Sequence, residues 1–546
     1  MNSIRQAVWI LASVVVMSAA ATAQVPDKQK VIAGAERAFE KTAKAVAMPA
    51  PGCAVGVSLN GESVFEKAFG LAEMEHGIPN TPQTIFESGS VAKQFTAAAL
   101  VLLAQEGKLS LDDPVKKYIP ELPDYGSKMT IRHLLNHTAG LRDWGSVMAL
   151  TGAGRGDRAI SQELAIDVIL RQKGLDFAPG AEYSYSNSGY QLAALIVGRV
   201  AKQKLPAFIE ERFFKPLGMK SSSTRDNYKK IVPGRAQAYS RTSRDAPWEL
   251  DMPFMSVYGN GGMLTTVGDW LKWNAMLDAQ SMGAPLVEAL ETQGILNDGR
   301  KISYALGLVV DDYKGLRDVS HGGSTAGYQT FLARYPEKKL SVAVLCNGTS
   351  PSAGGLAASV TDEIFGPFPA PANIETVAVA EDELRKYGGL WQNDVTRFVN
   401  PITLEKGELR LAGSVLKPIA GGAFLIGERR LMFTDPNKVR IQNPDGSATL
   451  LTRVADWKPT AADLAEFAGE WYSEEAQAMF TFVADGDKAF IRQRPTTSLP
   501  LRPLTKDHFS TQGYVIWVTR DQKGKIEKLH VGGSRMRDMV FVRAIR

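Results

Sequence analysis

The sequence predicts a multidomain protein: a layered α/β or α+β domain first, then two small antiparallel β-domains. Three observations carry this. Strand-like stretches stand at both ends of residues 28–366, with helical patterns between them. A Pro-rich stretch, Phe365-Gly366-Pro367-Phe368-Pro369-Ala370-Pro371-Ala372, leads into a linker over 367–380, beyond which helical periodicity nearly vanishes. Two later stretches repeat one another, Leu384-Arg385-Lys386-Tyr387-Gly388-Gly389-Leu390-Trp391 and Leu464-Ala465-Glu466-Phe467-Ala468-Gly469-Glu470-Trp471-Tyr472. Each begins about 80 residues of short alternating strands and tight turns, placing β-domains over 381–456 and 460–546, with Trp457-Lys458-Pro459 at their boundary.

The elements of the first domain follow in order. Gly52–Leu59 and Ser63–Phe69 are strand-like runs flanking Asn60-Gly61, the strongest short signal for a hairpin. Thr96-Ala97-Ala98-Ala99-Leu100-Val101-Leu102-Leu103 is apolar and unbroken until Gly107, and reads as a helix buried on most faces. Ile131–Leu141 reads as a short helix stopped by Gly140. Its His133 and His137 are four apart, but no Glu follows the first, so they read as packing and cap histidines rather than metal ligands. Helical periodicity returns near 162–172. A loop of short polar side chains, Phe177 to Tyr190, precedes a helix over 191–200. Gly259-Asn260-Gly261-Gly262 is a Gly-rich turn without the lysine of a phosphate loop. From Tyr304 to Cys346 the pattern is strand, turn, strand, strand, with His321–Gly327 as the central turn.

Composition excludes several classes. The 546 residues carry a net charge of +5, but the basic residues are scattered, with no basic stripe or zinc-finger spacing, which argues against nucleic acid. Residues 1–23 read as a secretory signal peptide: Arg5 supplies the charge, Ala7–Met17 the short apolar core, and Ala21-Thr22-Ala23 the cleavage site. That core is too short for a comfortable membrane span, and no other long apolar run exists. The expectation is an exported protein, periplasmic or secreted, with no membrane span. The chain has 2 cysteines, Cys53 and Cys346, without metal-ligand spacing. An exported protein can pair them; the sequence reading leans to two separately buried thiols.

The stretch that carries chemistry is Ser90-Val91-Ala92-Lys93, at the start of the apolar helix. Residues three apart share a helix face, so hydroxyl and ammonium are neighbours. A serine needs an adjacent base to act as a nucleophile, and a lysine is such a base only when its ammonium is destabilised. A second match, Ser414-Val415-Leu416-Lys417, lies in a strand-like stretch and reads as chance. No G-x-S-x-G elbow occurs, which excludes a classical α/β-hydrolase.

With these motifs on the page, the chain resembles the penicillin-recognising serine hydrolases, specifically the class C β-lactamase-related branch with its D-aminopeptidases and family VIII-type esterases. Ser90-Val91-Ala92-Lys93 matches the nucleophile motif, Tyr185-Ser186-Asn187 the Tyr-x-Asn motif, and His321-Gly322-Gly323 sits where the third motif, usually Lys-Thr-Gly, lies. His133–Leu141 and Lys215-Pro216-Leu217-Gly218-Met219 also look like this branch. The resemblance implies an antiparallel sheet flanked by helices, followed by two small antiparallel β-barrels. It implies that Ser90 forms an acyl-enzyme, that Lys93 and Tyr185 form the base, and that the N–H groups of Ser90 and Ser324 form the oxyanion hole. Asn187, His321, Gly322 and Gly323 would meet a small-molecule or short-peptide substrate. No metal or organic cofactor is implied.

His321 departs from the family pattern. A lysine there is charged and suits a carboxylate, whereas a histidine is mostly neutral above pH ~6.5. This argues against an efficient β-lactamase and favours a substrate with no carboxylate next to the scissile bond. The leading expectation is hydrolysis of D-amino-acid-containing peptides or amides. The alternatives are a carboxylesterase or weak β-lactamase, and a catalytically dead protein whose β-domains bind cell-wall fragments.

Overall fold

The computed structural model describes residues 24–125, 128–153, 158–369 and 374–544; the leader read at 1–23 and the linker positions 370–373 lie outside them. The first layer is helix α1 (Lys28–Ala45), capped by the Asp27 carboxylate, which accepts from the N–H groups of Gln29 and Lys30. The Asn60-Gly61 hairpin then joins β1 (Cys53–Leu59) to β2 (Glu62–Phe69), both turn residues taking positive φ as that turn demands. Three helices of the helical half follow: α2 (Lys93–Gln105), α3 (Asn187–Ala201) and α4 (Val267–Ala279). The chain returns through β3 (Val309–Tyr313), β4 (Leu316–Thr325), β5 (Tyr328–Tyr335) and β6 (Leu340–Cys346) to helix α5 (Ala353–Phe365).

These strands form one six-stranded antiparallel sheet in the order β3-β4-β5-β6-β1-β2. β1 and β6 are central and buried on both faces, which is why each reads as a continuous apolar run. Cys53, Val55 and Val57 pack with Val342 and Val344 against α1 and α5. Ala54, Ala343 and Leu345 face the other way, toward α4 and the helical half.

Register decides the cysteines. Cys53 and Cys346 are partners across β1 and β6, wholly buried, and joined in a disulfide between positions 293 apart in sequence. The expectation of two separate thiols is overturned, because sequence distance says nothing about which residues a sheet places opposite one another. Two element boundaries also differ. The short helix ends at Leu135, since His137 turns to φ 60 and its carbonyl accepts the Ser184 N–H. His321-Gly322-Gly323 lies within β4, and the turn is the following Ala326-Gly327.

Two closed eight-stranded barrels follow, spanning Gly389–Val454 and Gly469–Arg543. The sequence repeat is a repeated local device. A five-residue helix (Glu381–Arg385, then Ala461–Ala465) leads each barrel into a buried tryptophan. Trp391 Nε1–H donates to the Tyr387 carbonyl and Trp471 Nε1–H to that of Phe467. Arg453 lies over Trp391 and Arg543 over Trp471, at 4.7 and 4.5 Å, so each final strand closes on the first through the same contact. Ser414 and Lys417 sit exposed on a strand of the first barrel, where three-residue spacing points side chains to opposite faces.

The barrels are attached differently. The first holds its own apolar core. The core of the second is continuous with that of the helical half. Across that junction Arg142 meets Glu475 at 2.7 Å, both nearly buried, and Arg537 forks onto Glu182. Among the described residues no helix is long and apolar enough to cross a membrane.

Candidate active site

Ser90 does not open an α-helix; it lies in a short 3₁₀ turn, Gly89–Ala92, and α2 begins at Lys93. In a 3₁₀ turn residues three apart eclipse one another, so the two side chains are stacked rather than offset. Lys93 Nζ is 3.1 Å from Ser90 Oγ. Two glycines set up the turn. Gly89 holds φ +52, and a Cβ on it would fall 2.5 Å from the Ser324 N. A Cβ on Gly323 would fall 2.1 Å from the Ser88 carbonyl oxygen. Without side chains at both places β4 lies directly against the serine turn, and Thr330 Oγ1 donates to the Ser88 carbonyl at 2.7 Å to hold it there.

Lys93 is fully buried and makes two further contacts, to Asn187 Oδ1 at 2.9 Å and to the Asn260 carbonyl at 2.7 Å. Both of those partners only accept. A neutral amine would satisfy both with its two N–H donors and leave its lone pair for the Ser90 hydroxyl. The energetics agree: burial, opposed by Asp143 and aided by Arg535, holds the Lys93 ammonium well below the ordinary lysine range.

Tyr185 and Asn187 flank the start of α3. Ser186 caps it, its side chain accepting from the Ser188 N–H, so the polar loop gives way to helix at Asn187, four residues before the expected start. The Tyr185 ring packs 4.1 Å from the His137 ring, and Lys93 Nζ lies 4.9 Å from its centroid. Burial raises the Tyr185 phenol far above 10, only partly offset by its proximity to Ser90. Burial thus works against the charged form of both partners, favouring amine and phenol over the ammonium and tyrosinate that mutual charge would favour in a wetter site.

His321 is buried on β4. Its Nδ1 is 2.6 Å from the Gly322 carbonyl, which can only accept, so Nδ1 carries the proton and Nε2 accepts from the Tyr304 hydroxyl at 2.9 Å. Burial and the nearby Lys93 lower its pKa to about 4. It is thus neutral throughout the neutral range, not only above pH ~6.5 as an exposed imidazole is. His133 is the cap residue the sequence implied, closing a capping box with Thr130. His137 leaves the helix, accepts the Ser186 N–H on Nδ1 and serves as packing for Tyr185.

Ser90, Tyr185, Asn187, His321, Gly322, Gly323 and Ser324 all border one cavity of about 1020 Å³, with Lys93 beneath it. Four residues there escaped the sequence reading. Asp143 caps the Trp144–Ala149 helix and accepts the Asn187 N–H at 2.8 Å; its cap pattern was the available signal. The Gly-rich turn turned out to supply the Asn260 carbonyl to Lys93. Tyr304 holds His321. Arg535 comes from the last hairpin of the second barrel, its carbonyl accepting the Asp143 N–H at 2.9 Å and its guanidinium 4.9 Å from the Tyr185 ring; no local pattern marks it.

Comparison with known proteins gives three kinds of likeness. Penicillin-binding protein 4* of Bacillus subtilis is 31% identical over 305 residues, 53% of this chain and 66% of that protein, just under two thirds of its length. D-aminopeptidase of Brucella anthropi is 25% identical over 447 residues, 80% of this chain and 81% of that protein. Among solved structures, the octameric penicillin-binding protein homologue from Pyrococcus abyssi covers 94% of this chain and 100% of its own at 20% identity, with a TM-score of 0.54, a likeness of fold. The family described as Beta-lactamase matches residues 39–363, the stretch that holds the sheet, the Ser90 turn, Lys93, Tyr185 and His321, and the chain belongs to that family.

Proposed function

We propose that the protein is an exported serine hydrolase that cleaves amide and peptide bonds beside D-amino acids through an acyl-enzyme on Ser90. The observation that carries this is the buried Lys93 Nζ 3.1 Å from Ser90 Oγ, with acceptors at its other two contacts. Ser90 Oγ attacks the carbonyl carbon and its proton passes to Lys93 Nζ. The oxyanion meets the N–H groups of Ser90 and Ser324, which the bare Gly89 and Gly323 bring side by side. Tyr185, held protonated by burial, hands its proton to the leaving nitrogen. Water then attacks the ester, its proton going to the tyrosinate, and Lys93 returns its proton to Ser90. Asn187, fixed by Lys93 and Asp143, borders the cavity where a substrate amide would lie.

The D-preference rests on the D-aminopeptidase relative, which matches across 80% of this chain. Export rests on the leader pattern and on the buried disulfide, which fits an oxidising compartment. A fluorophosphonate probe should label wild type on Ser90 and leave Ser90→Ala unlabelled and inactive, with Ser414→Ala unaffected. Wild type should turn over D-amino-acid p-nitroanilides faster than the L-enantiomers, and short-chain esters at a lower selectivity. Label on any other serine sinks the mechanism; equal rates on both enantiomers sink the D-preference alone.

A further inference from the structure

The charges lining the cavity are not balanced. Its two carboxylates are engaged: Glu87 accepts from Arg225 at 2.7 and 2.9 Å and from Arg235 at 3.1 Å, and Asp143 accepts the N–H groups of Ser146 and Asn187. Three arginines also line it. Arg225 is the one tied to Glu87. Among the described residues, Arg158 and Arg535 meet no carboxylate at ion-pair distance, and both are exposed. A substrate carboxylate finds unpaired guanidinium here.

Arg535 is the better placed of the two. Its backbone is pinned by the Asp143 N–H, and the strand that follows is anchored by the buried Met536 and by Arg537, whose N–H donates to Asp176. The guanidinium is thus presented by a fixed turn while its donors stay free. It stands 4.9 Å from the Tyr185 ring and lines the same cavity as Ser90.

We propose that Arg535 of the second barrel is the anion-recognising residue of this active site, selecting substrates whose leaving group carries a carboxylate, such as the C-terminal carboxylate of a short peptide. It supplies from another domain the positive charge that neutral His321 does not. This rests on the acyl-enzyme reading of Ser90 and reverses the expectation that a third motif without lysine turns carboxylate substrates away. A guanidinium forks onto a carboxylate with two donors, which a lysine cannot do.

The test uses two aryl acetates, 4-acetoxybenzoate and 4-acetoxybenzamide, on the full chain. They leave the same acetyl-enzyme, so deacylation cancels and the ratio of kcat/KM reports acylation alone. Wild type should prefer the anionic ester. Arg535→Ala should lower that preference by about ten- to a hundred-fold, the loss of a hydrogen bond to a charged group. Arg535→Lys should keep part of it, and added salt should erode it in wild type. Folding should survive, because the alanine keeps the carbonyl that Asp143 uses. If Arg535 only buttresses Tyr185, Arg535→Ala will slow both esters equally and leave the ratio unchanged, which overturns the proposal. If neither ester acylates the protein and the fluorophosphonate probe leaves Ser90 unlabelled, the acyl-enzyme reading falls, and this inference with it.

Discussion

In the proposed mechanism Lys93 is the base and Tyr185 the acid. Burial disfavours the charged form of each, which suits a proton acceptor and a proton donor, so the two should fail differently when removed. Lys93→Ala should lower turnover of every substrate by at least ~100-fold, the low end for loss of a general base. Tyr185→Phe should do the same to a D-amino-acid anilide yet spare the acylation burst with p-nitrophenyl acetate, whose leaving phenolate needs no proton. Equal losses on amide and ester would show that Tyr185 is not the acid. His321 makes a second prediction. Its pKa of about 4 in the fold lies below the ordinary 6.5, so the unfolded chain takes up a proton first as pH falls. The stability this neutral histidine shares in is whole above pH ~6.5 and drains away between 6.5 and about 4, by about 3 kcal/mol. Urea unfolding of wild type and His321→Gln across that range should show wild type losing this much relative to the variant, since other buried histidines cancel. The same value means no charge-linked gain in activity between pH 7.5 and 6.

At the scale of elements, the central pair β1 and β6 carries both the sheet and the disulfide. Each strand is buried from end to end, and the Cys53–Cys346 bond closes a loop across most of the first domain. Alkylation in denaturant without reductant should find no free thiol. Replacing both cysteines by alanine should cost about 2–5 kcal/mol in unfolding free energy while leaving kcat intact, because neither sulfur approaches the cavity. Full alkylation of unreduced protein would contradict the bond. The 3₁₀ turn before α2 shows the same dependence on neighbours: it is tighter than the helix read from the sequence because β4 presses on it through two glycines.

The whole molecule should unfold in two parts. The first barrel closes a core of its own, while the second shares a continuous core and a buried Arg142–Glu475 pair with the helical half. Calorimetry should therefore resolve one transition for the first barrel and one for the catalytic domain with the second barrel. Trp391→Ala and Trp471→Ala remove equivalent buried rings, each at a cost of about 3–5 kcal/mol. The first should lower only the barrel transition and spare activity; the second should lower the transition that carries activity. A single transition moved equally by both would refute this division. The attachment also has a functional side, since the barrel that shares the core is the one that delivers Arg535 to Tyr185.

What the amino-acid sequence determined by itself is what depends on near neighbours. The Asn60-Gly61 hairpin, the buried Ala-rich helix behind Ser90, the spacing of serine and lysine, and the repeated tryptophan device of the barrels are all set within a few residues. So are the layered first domain and the β-rich end, through the period of their apolar positions. The tertiary structure decided what depends on distant segments meeting. It set the pairing of Cys53 with Cys346, because register across a sheet is not written in either strand. It lowered the pKa of Lys93 and kept His321 neutral, because desolvation comes from the surrounding packing and not from the residue. And it brought Tyr304 against His321, and Asp143, Asn260 and Arg535 to the cavity, the last from almost the far end of the chain, where no short pattern marks it because its role is defined only by the surface its turn docks on.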